Sequence, residues 1–346
     1  MQALNTWFWR AVVMGSWLAL LLWCGYWWPR SVAVALLGAG LIAGGAGLQL
    51  GTQMLMMRMV LRRRGVPLPS AMIALRAWLS EWRWAWRLFG WQIPFGEHAE
   101  PDGVPVDRED MQLQGQVQGE VQGQVGVVLV HGYFCNRGVW TVWLRRLKAR
   151  RIACMAMTLE PAHGSPVDAM VDDLDRCVKA MVQQTGRAPL LVAHSMGGLV
   201  VRAWLKRLDA GERARFAAHV VTVATPHGGA WLARFAQRLP AVEMREGSDW
   251  LQRLGPPPQD VSFSCWCSSS DNIVFPPDLA ILPNAQCHQV DDAAHMQLLF
   301  DPRVWLHCLQ LQAQLQARPQ ERSQERYQAA EVGASAADAG ARACGS

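Results

Sequence analysis

Charge is scarce in this sequence. Only 18% of its 346 residues are charged and 51% are hydrophobic, a balance that is apolar for a soluble protein. The net charge is +5, and a surplus of that size already lies between Arg58 and Arg87. Positive charge beside an apolar run is the usual topology signal of a membrane segment. We therefore expect the partner of this basic region to be a membrane surface and not nucleic acid.

Paired metal-ligand spacing is also missing among the nine cysteines. Cys265 and Cys267 stand two apart, which is too close for a Cys-x-x-Cys motif and places both thiols on one face of a strand. Free, partly buried thiols in a reducing compartment are the simplest interpretation. We expect no metal ion and no cofactor.

Two long runs contain no charged residue, residues 11–28 and 31–57. Each approaches or exceeds the roughly 20 residues that a helix needs to cross a bilayer. The first run has no small-x-small cleavage site and is followed at once by the second, which argues against a signal peptide. The sequence predicts a transmembrane hairpin over residues 1–64. The arginines that follow the second run, Arg58 and Arg62 to Arg64, place both ends in the cytoplasm.

Glycines recur four apart in the second run, at Gly40 and Gly44 and at Gly47 and Gly51. This spacing allows another helix to approach closely, and so a homodimer is one interpretation. Packing of the two spans against each other is the interpretation that we favour.

Residues 65–125 read as a connection between the hairpin and the next domain. Residues 74–91 carry tryptophans and leucines at helical spacing with arginines turned elsewhere. Such a helix either lies in the headgroup layer or packs on that domain. Residues 112–125 repeat Gln, Gly and Val and read as a linker, because glycines weaken a strand. The polar tail, residues 317–346, lacks an apolar period, so disorder is expected there.

Strand and helix signals alternate over residues 126–316. Fully apolar strands separated by helices, notably residues 139–150 and 167–184, predict an α/β fold with a mostly parallel sheet covered on both faces. The predicted strands are residues 125–130, 153–159, 189–194, 219–225, 261–267 and 287–290.

Ser195 occupies the turn in LVAHSMGGLV, between a buried strand and a helix. A strand–turn–helix elbow pushes a serine hydroxyl clear of the chain, and it needs small residues two before and two after the serine. Ala193 and Gly197 meet this need, although the first position is usually glycine. Ser195 is therefore a candidate nucleophile.

A serine hydroxyl needs a base, and the base needs an acid to orient it. Asp271 follows a strand in SSSDNIVFPP, and His295 begins an apolar-periodic helix in DAAHMQLL, so the chain order is Ser, Asp, His. Asp278 competes with Asp271 as the acid. Other candidates read as structural residues or solvated loop charges: His131, His194, His227, His288, Asp291 and Asp292.

Backbone N–H groups must also stabilise the charge that develops on a carbonyl oxygen. The residue after the nucleophile supplies one such group, here Met196, and the loop after the first central strand supplies another. In HGYFCN we choose Tyr133 for the second group, since Gly132 lets that loop come close to the substrate.

The chain resembles bacterial serine lipases and esterases of the α/β-hydrolase fold over roughly residues 126–311. The alanine of AHSMGG looks most like small lipases with alanine at that position. The resemblance implies Ser195, Asp271 and His295 as the triad and Tyr133 and Met196 as oxyanion donors. It does not extend to the hairpin, the tryptophan-rich helix or the Gln/Gly repeat. The stretches that carry it are VVLVHGYFCN, LVAHSMGGLV, VVTVATPHGG, GSDWLQRL, SSSDNIVFPP and DAAHMQLLFDPRVW.

Together these features predict a membrane-anchored serine hydrolase in the bacterial inner membrane, with its catalytic domain in the cytoplasm. We expect it to cleave lipid or small carboxylic esters through an acyl-enzyme. Residues 228–254 stand where lipases carry a lid, although plain packing on the sheet is at least as good an interpretation. A thioesterase, an acyltransferase and a non-catalytic membrane interaction protein remain alternatives.

Overall fold

The computed structural model describes residues 4–103, 121–160 and 164–318. Residues 112–120 of the predicted Gln/Gly/Val linker lie outside these residues, and so does the predicted disordered tail from residue 319 onward.

Two N-terminal helices form a hairpin, α1 (Leu4–Trp27) and α2 (Val32–Arg63). Both are long and apolar enough to cross a membrane. The Ser31 hydroxyl begins α2 by accepting a hydrogen bond from the backbone N–H of Val34. With 32 residues, α2 is about 48 Å long at 1.5 Å per residue, which exceeds the ~30 Å hydrocarbon core. Part of α2 is therefore free to pack on other protein elements.

The glycines of α2 pack differently from our expectation. A Cβ atom at Gly47 would lie 2.9 Å from the Trp82 ring, and one at Gly51 would lie 3.5 Å from Trp78. Both tryptophans belong to α3 (Ala71–Arg87), the predicted amphipathic helix. Gly38 is the glycine that meets α1, at Trp23. The preferred interpretation of Gly47 and Gly51 was thus wrong, because these residues accommodate the bulky rings of α3 and not the first span.

Helix α3 packs on its neighbours through one face and exposes another. Ala74, Ala77 and Glu81 are buried, whereas Leu79 and Trp86 are about half exposed. The helix continues through a π-helical turn, Leu88–Gln92, into the short α4 (Ile93–Phe95). Packing on the rest of the protein therefore accounts for the buried face, and the exposed apolar face leaves the headgroup interpretation open.

A six-stranded sheet forms the centre of the remaining chain. Its order is β2-β1-β3-β4-β5-β6, and all five pairings are parallel. The first five strands are almost wholly buried, as continuous apolar runs predict for a sheet covered on both faces. The strands are β1 (Val127–Val130), β2 (Cys154–Ala156), β3 (Leu190–His194), β4 (His219–Val223), β5 (Phe263–Ser268) and β6 (Gln286–Val290).

Helices cover the sheet on both faces and create two apolar cores. One core contains α6 (Val171–Thr185), α7 (Met196–Arg207) and α9 (Asp249–Leu254); the other contains α5 (Thr141–Lys148) and α11 (Pro302–Gln316). Two shorter helices also belong to the described part of this domain, α8 (Ala210–Phe216) and α10 (His295–Leu299). The predicted α/β architecture is confirmed.

The segment over residues 228–254 contains a 3-10 helix, Trp231–Phe235, and α9. Trp231 packs on Phe275 and belongs to an apolar cluster with Met54 and Met57 of α2. Phe235, in contrast, is 62% exposed. The segment therefore packs between the sheet domain and the second helix of the hairpin.

Candidate active site

Ser195 lies at the sharp turn between β3 and α7. Its backbone has φ 54° and ψ −128°, a positive-φ conformation that costs free energy for any residue with a Cβ atom. The Ser195 N–H donates to the Val223 carbonyl at 2.9 Å, which secures the turn to β4. The strained geometry is that of the predicted elbow.

Small residues beside Ser195 are required by close backbone packing. A Cβ atom at Gly197 would lie 2.5 Å from the His131 carbonyl oxygen and 2.7 Å from that of Val130. One at Gly198 would lie 2.2 Å from the Thr225 hydroxyl. The two glycines thus allow α7 to start directly against the ends of β1 and β4.

The side chains of Ser195, His295 and Asp271 meet at the carboxyl edge of the sheet. His295 Nε2 lies 3.1 Å from Ser195 Oγ. On the other side of the ring, Nδ1 lies 3.0 Å from Asp271 Oδ2 and 3.1 Å from Oδ1. An imidazole between a hydroxyl and a carboxylate is arranged to take a proton from the first while the second orients it.

The Asp271 carboxylate is itself held by the main chain. It follows β5 and is almost fully buried, and its Oδ1 accepts the N–H groups of Ile273 at 2.8 Å and Val274 at 2.9 Å. Asp278, the competing acid, is exposed on the 3-10 helix Pro277–Ala280. Geometry therefore favours Asp271 as the partner of the imidazole.

Burial alone lowers the pKa of His295, but its neighbours outweigh this effect. The charge and hydrogen bond of Asp271, and then the charge of Glu81, raise the pKa of His295 above its ordinary value. The ring is thus suited to accept a proton near neutral pH.

The remaining histidines near the site have structural roles. Burial lowers the pKa of His131 to about 4, and its Nε2 accepts the Leu159 N–H at 2.9 Å. Burial also lowers the pKa of His194, whose ring packs 4.8 Å from that of His295. His227 is buried with its Nε2 3.0 Å from the Thr222 hydroxyl. Three other residues lie at the periphery: His288 on β6, where it stacks on a tryptophan, and the exposed Asp291 and Asp292.

The loop after β1 lies directly against the elbow. A Cβ atom at Gly132 would lie 2.7 Å from the Ser195 Cβ and 3.2 Å from the His194 carbonyl oxygen. Tyr133 follows in this loop and is half-buried, and Met196 is the buried first residue of α7. The two predicted oxyanion donors thus belong to backbone segments that meet at Ser195.

The N-terminal helices supply neighbours of the site that the sequence analysis missed. The Asn272 side chain accepts the His295 N–H at 3.2 Å and donates to Gln53 of α2 at 2.8 Å. Glu81 of α3 accepts the N–H of Met296 at 2.9 Å. Glu81 is the single acidic residue in the run from 74 to 91, and that isolation on a buried helix face was the available signal.

Helix α1 reaches the opposite side of the site. The Trp9 indole N–H donates to the Phe134 carbonyl at 2.9 Å, and the Asn5 side chain donates to the Cys135 carbonyl at 2.8 Å. The loop after β1 is therefore held from the hairpin as well as from the sheet.

Solved structures of several lipases are similar to this chain at low identity. A mature Bacillus licheniformis lipase is 15% identical with a TM-score of 0.49, over 55% of this chain and 92% of the lipase. Aspergillus fumigatus lipase B is 16% identical with a TM-score of 0.45, over 53% and 51%. A monoacylglycerol lipase of Paleococcus ferrophilus is 17% identical with a TM-score of 0.39, over 56% and 96%.

Among curated proteins, none matches the sequence. The sequence profile of the Alpha/beta hydrolase family matches residues 127–330, which is more than half of the chain and includes the whole sheet. This chain therefore belongs to the alpha/beta hydrolase family.

Proposed function

We propose that this chain is a membrane-anchored serine hydrolase that cleaves carboxylic esters, those of lipids in particular, through an acyl-enzyme. The observation that carries the proposal is the position of the His295 ring, 3.1 Å from the Ser195 hydroxyl and 3.0 Å from the Asp271 carboxylate. Packing alone does not require these three groups to be in line, whereas nucleophilic catalysis does.

In the proposed reaction, Ser195 Oγ attacks the ester carbonyl carbon while His295 Nε2 takes the hydroxyl proton. The N–H groups of Tyr133 and Met196 stabilise the resulting oxyanion. The intermediate collapses when the C–O bond to the alcohol breaks and His295 returns the proton to the leaving oxygen. A water molecule then attacks the acyl-enzyme while His295 takes its proton. The bond to Ser195 Oγ breaks, His295 returns that proton to Oγ, and the carboxylic acid is released. Asp271 holds the ring in the correct tautomer throughout.

Contacts of the hairpin with the site support a lipid substrate. The first turns of α1 bind the loop after β1, and Gln53 of α2 binds Asn272 beside His295. If α1 and α2 span a membrane, the start of α1 and the end of α2 lie at one membrane face, and both contact segments beside the site. A lipid then needs to travel only a short distance to Ser195. The arginines at the end of α2 favour the cytoplasmic face of a bacterial inner membrane.

Labelling with a fluorophosphonate probe, followed by peptide mapping, tests the proposal. We expect a single modified peptide that carries Ser195, and we expect Ser195→Ala to lose both labelling and ester hydrolysis by roughly five orders of magnitude or more. Ser262→Ala, at an exposed serine, is the matched control and should retain both.

A folded protein, by circular dichroism, that resists the probe and hydrolyses no ester would contradict the proposal and favour a non-catalytic membrane interaction protein. Faster turnover of thioesters than of matched esters, or transfer of the acyl group to an added alcohol in preference to water, would replace ester hydrolysis with one of the two related chemistries.

A further inference from the structure

Glu81 is a buried carboxylate that the proposed reaction does not use. It lies on α3, before the region that the family profile matches, and is 2% exposed. Its carboxylate accepts the Met296 N–H at 2.9 and 3.0 Å and the Gln297 N–H at 3.0 Å. These two residues directly follow His295 in α10.

Helix α10 has no side-chain acceptor of its own at the residue where a cap is expected. The first N–H groups of a helix need acceptors from outside the helix, and Ser, Thr, Asp or Asn usually supplies one from the N-cap position. That position holds Ala294, whose methyl group cannot accept. Glu81, 215 residues before Met296, provides the acceptor instead.

Three successive main-chain groups at His295 and Met296 form hydrogen bonds to other segments. Its N–H donates to the Asn272 side chain at 3.2 Å, and its carbonyl oxygen lies 3.3 Å from His194 Nε2. Glu81 then binds the next N–H, that of Met296. Of the three partners, Glu81 comes from the N-terminal segment, and Asn272 is itself bonded to Gln53 of that segment.

Capping a short helix with a buried carboxylate costs desolvation free energy. Desolvation raises the pKa of Glu81 to about 7, although the Met296 N–H, the charge of His295 and the Gln297 N–H oppose the rise. An amide or a hydroxyl at position 81 would accept hydrogen bonds without the desolvation cost of a charge. The negative charge, which raises the pKa of His295, distinguishes the carboxylate from those groups.

We propose that Glu81 is a positioning residue for the hydrolase reaction: from the N-terminal segment it fixes α10 so that His295 faces Ser195, and its charge stabilises the imidazolium that forms during catalysis. This inference rests on the proposed function. It makes α3 part of the working site and not only a link to the membrane helices.

The sign of the pH effect follows from the charges around Glu81. The titratable groups that act on it are His295 and Asp271, and His194 packs on the His295 ring. Loss of the charge at position 81 lowers the pKa of His295, since a nearby anion favours the protonated ring. The acid limb of the pH profile, where the base becomes protonated, should therefore move to lower pH.

Glu81→Gln in the full chain, purified in detergent or lipid, tests the proposal. We expect kcat for a short-chain ester to fall about tenfold to a hundredfold and the acid limb of kcat/KM to move down by up to about one unit. Thermal stability at pH 8 should be equal or higher. The folded state binds the proton of Glu81 more tightly than the unfolded chain, so the wild type loses stability as pH rises from 4.5 to about 7, and this loss is complete at pH 8.

Two further variants make the test specific. Glu81→Asp retains the charge on a shorter side chain, so it should keep the acid limb near the wild-type position despite a lower kcat. Glu97→Gln is the matched control: Glu97 is a buried carboxylate of the same segment that accepts the Thr6 hydroxyl at 2.6 Å, and it is not among the charges that act on His295. The acid limb of the pH profile of Glu97→Gln should remain at the wild-type position.

An acid limb and a kcat in Glu81→Gln that equal those of the wild type would overturn the inference. So would a loss of activity matched by an equal loss of thermal stability with the acid limb unmoved, which indicates a structural cap alone. If instead the wild-type protein hydrolyses no ester and resists the fluorophosphonate probe, the proposed function itself fails, and the two failures are thus distinguishable.

Discussion

The sheet domain and the N-terminal helices contribute to the site in different ways. The sheet domain provides the side chains whose atoms would react, at the ends of β3 and β5 and at the start of α10. The N-terminal helices provide groups that bind the main chain around those atoms, at Phe134, Cys135 and Met296. The residues that would react thus belong to the region that the family profile matches, whereas the N-terminal helices contact the main chain around them.

After Ser195→Ala, the substitution Asp271→Asn should give the largest change within the sheet domain. Asparagine keeps the shape of the side chain but favours the wrong tautomer of His295, and such a change lowers kcat by about 10⁴. Steady-state hydrolysis of a chromogenic ester measures it. Asp278→Asn is the matched control at an exposed aspartate and should leave kcat near wild type. The reverse result would make Asp278 the acid.

Gly132→Ala should have the next largest effect, since it disturbs the approach of two backbone segments without removing a reacting group. Its Cβ atom would lie 2.7 Å from the Ser195 Cβ, so the loop or the elbow must shift. We expect kcat to fall about a hundredfold and probe labelling to slow. Gly40→Ala, where a Cβ atom meets nothing within 4 Å, is the control. Wild-type kcat in Gly132→Ala would show that the loop moves without cost.

Gly47→Val sharpens the comparison from the side of the N-terminal helices. Its Cβ atom would press on the Trp82 ring, 2.9 Å away, and Trp82 neighbours Glu81 on α3. Gly47 acts on His295 only through Trp82 and Glu81. We therefore expect a smaller loss of kcat, about tenfold, which ester hydrolysis measures.

The control for this variant is Gly44→Val, one turn earlier on α2, where the space around a Cβ atom is open. It should retain wild-type activity in lipid. Equal activity of the two variants would mean that the packing of α2 on α3 does not affect the site.

Local signals in the sequence were sufficient for most of the sheet domain. Apolar runs such as the one ending at His194 are typical of buried strands, and the small residues around Ser195 indicate a tight turn. The order of Ser195, Asp271 and His295 then predicts their meeting, because the carboxyl ends of parallel strands share one edge of the sheet. Each inference needed only neighbours in the chain or a rule of the fold.

The contacts of the N-terminal helices could not be predicted in this way. Gly47 and Gly51 indicate a close neighbour by their size, but nothing in their spacing distinguishes α1 from α3. Glu81 reads as one polar residue on an amphipathic helix. Its role as an acceptor depends on the N-cap position of α10, where Ala294 has no side-chain acceptor. Such pairs depend on tertiary packing between segments with no local pattern in common.

The hydrogen bond from the Met296 N–H to Glu81 also joins an early and a late part of the chain during synthesis. The two residues are 215 positions apart, and chains emerge from the ribosome with the N-terminal part first. Helices α1 to α3 are therefore synthesised before the first strand, and α10 packs against a carboxylate that is already present. If Glu81 positions His295 as proposed, the site is complete only after α10, from the C-terminal part of the chain, has packed on α3.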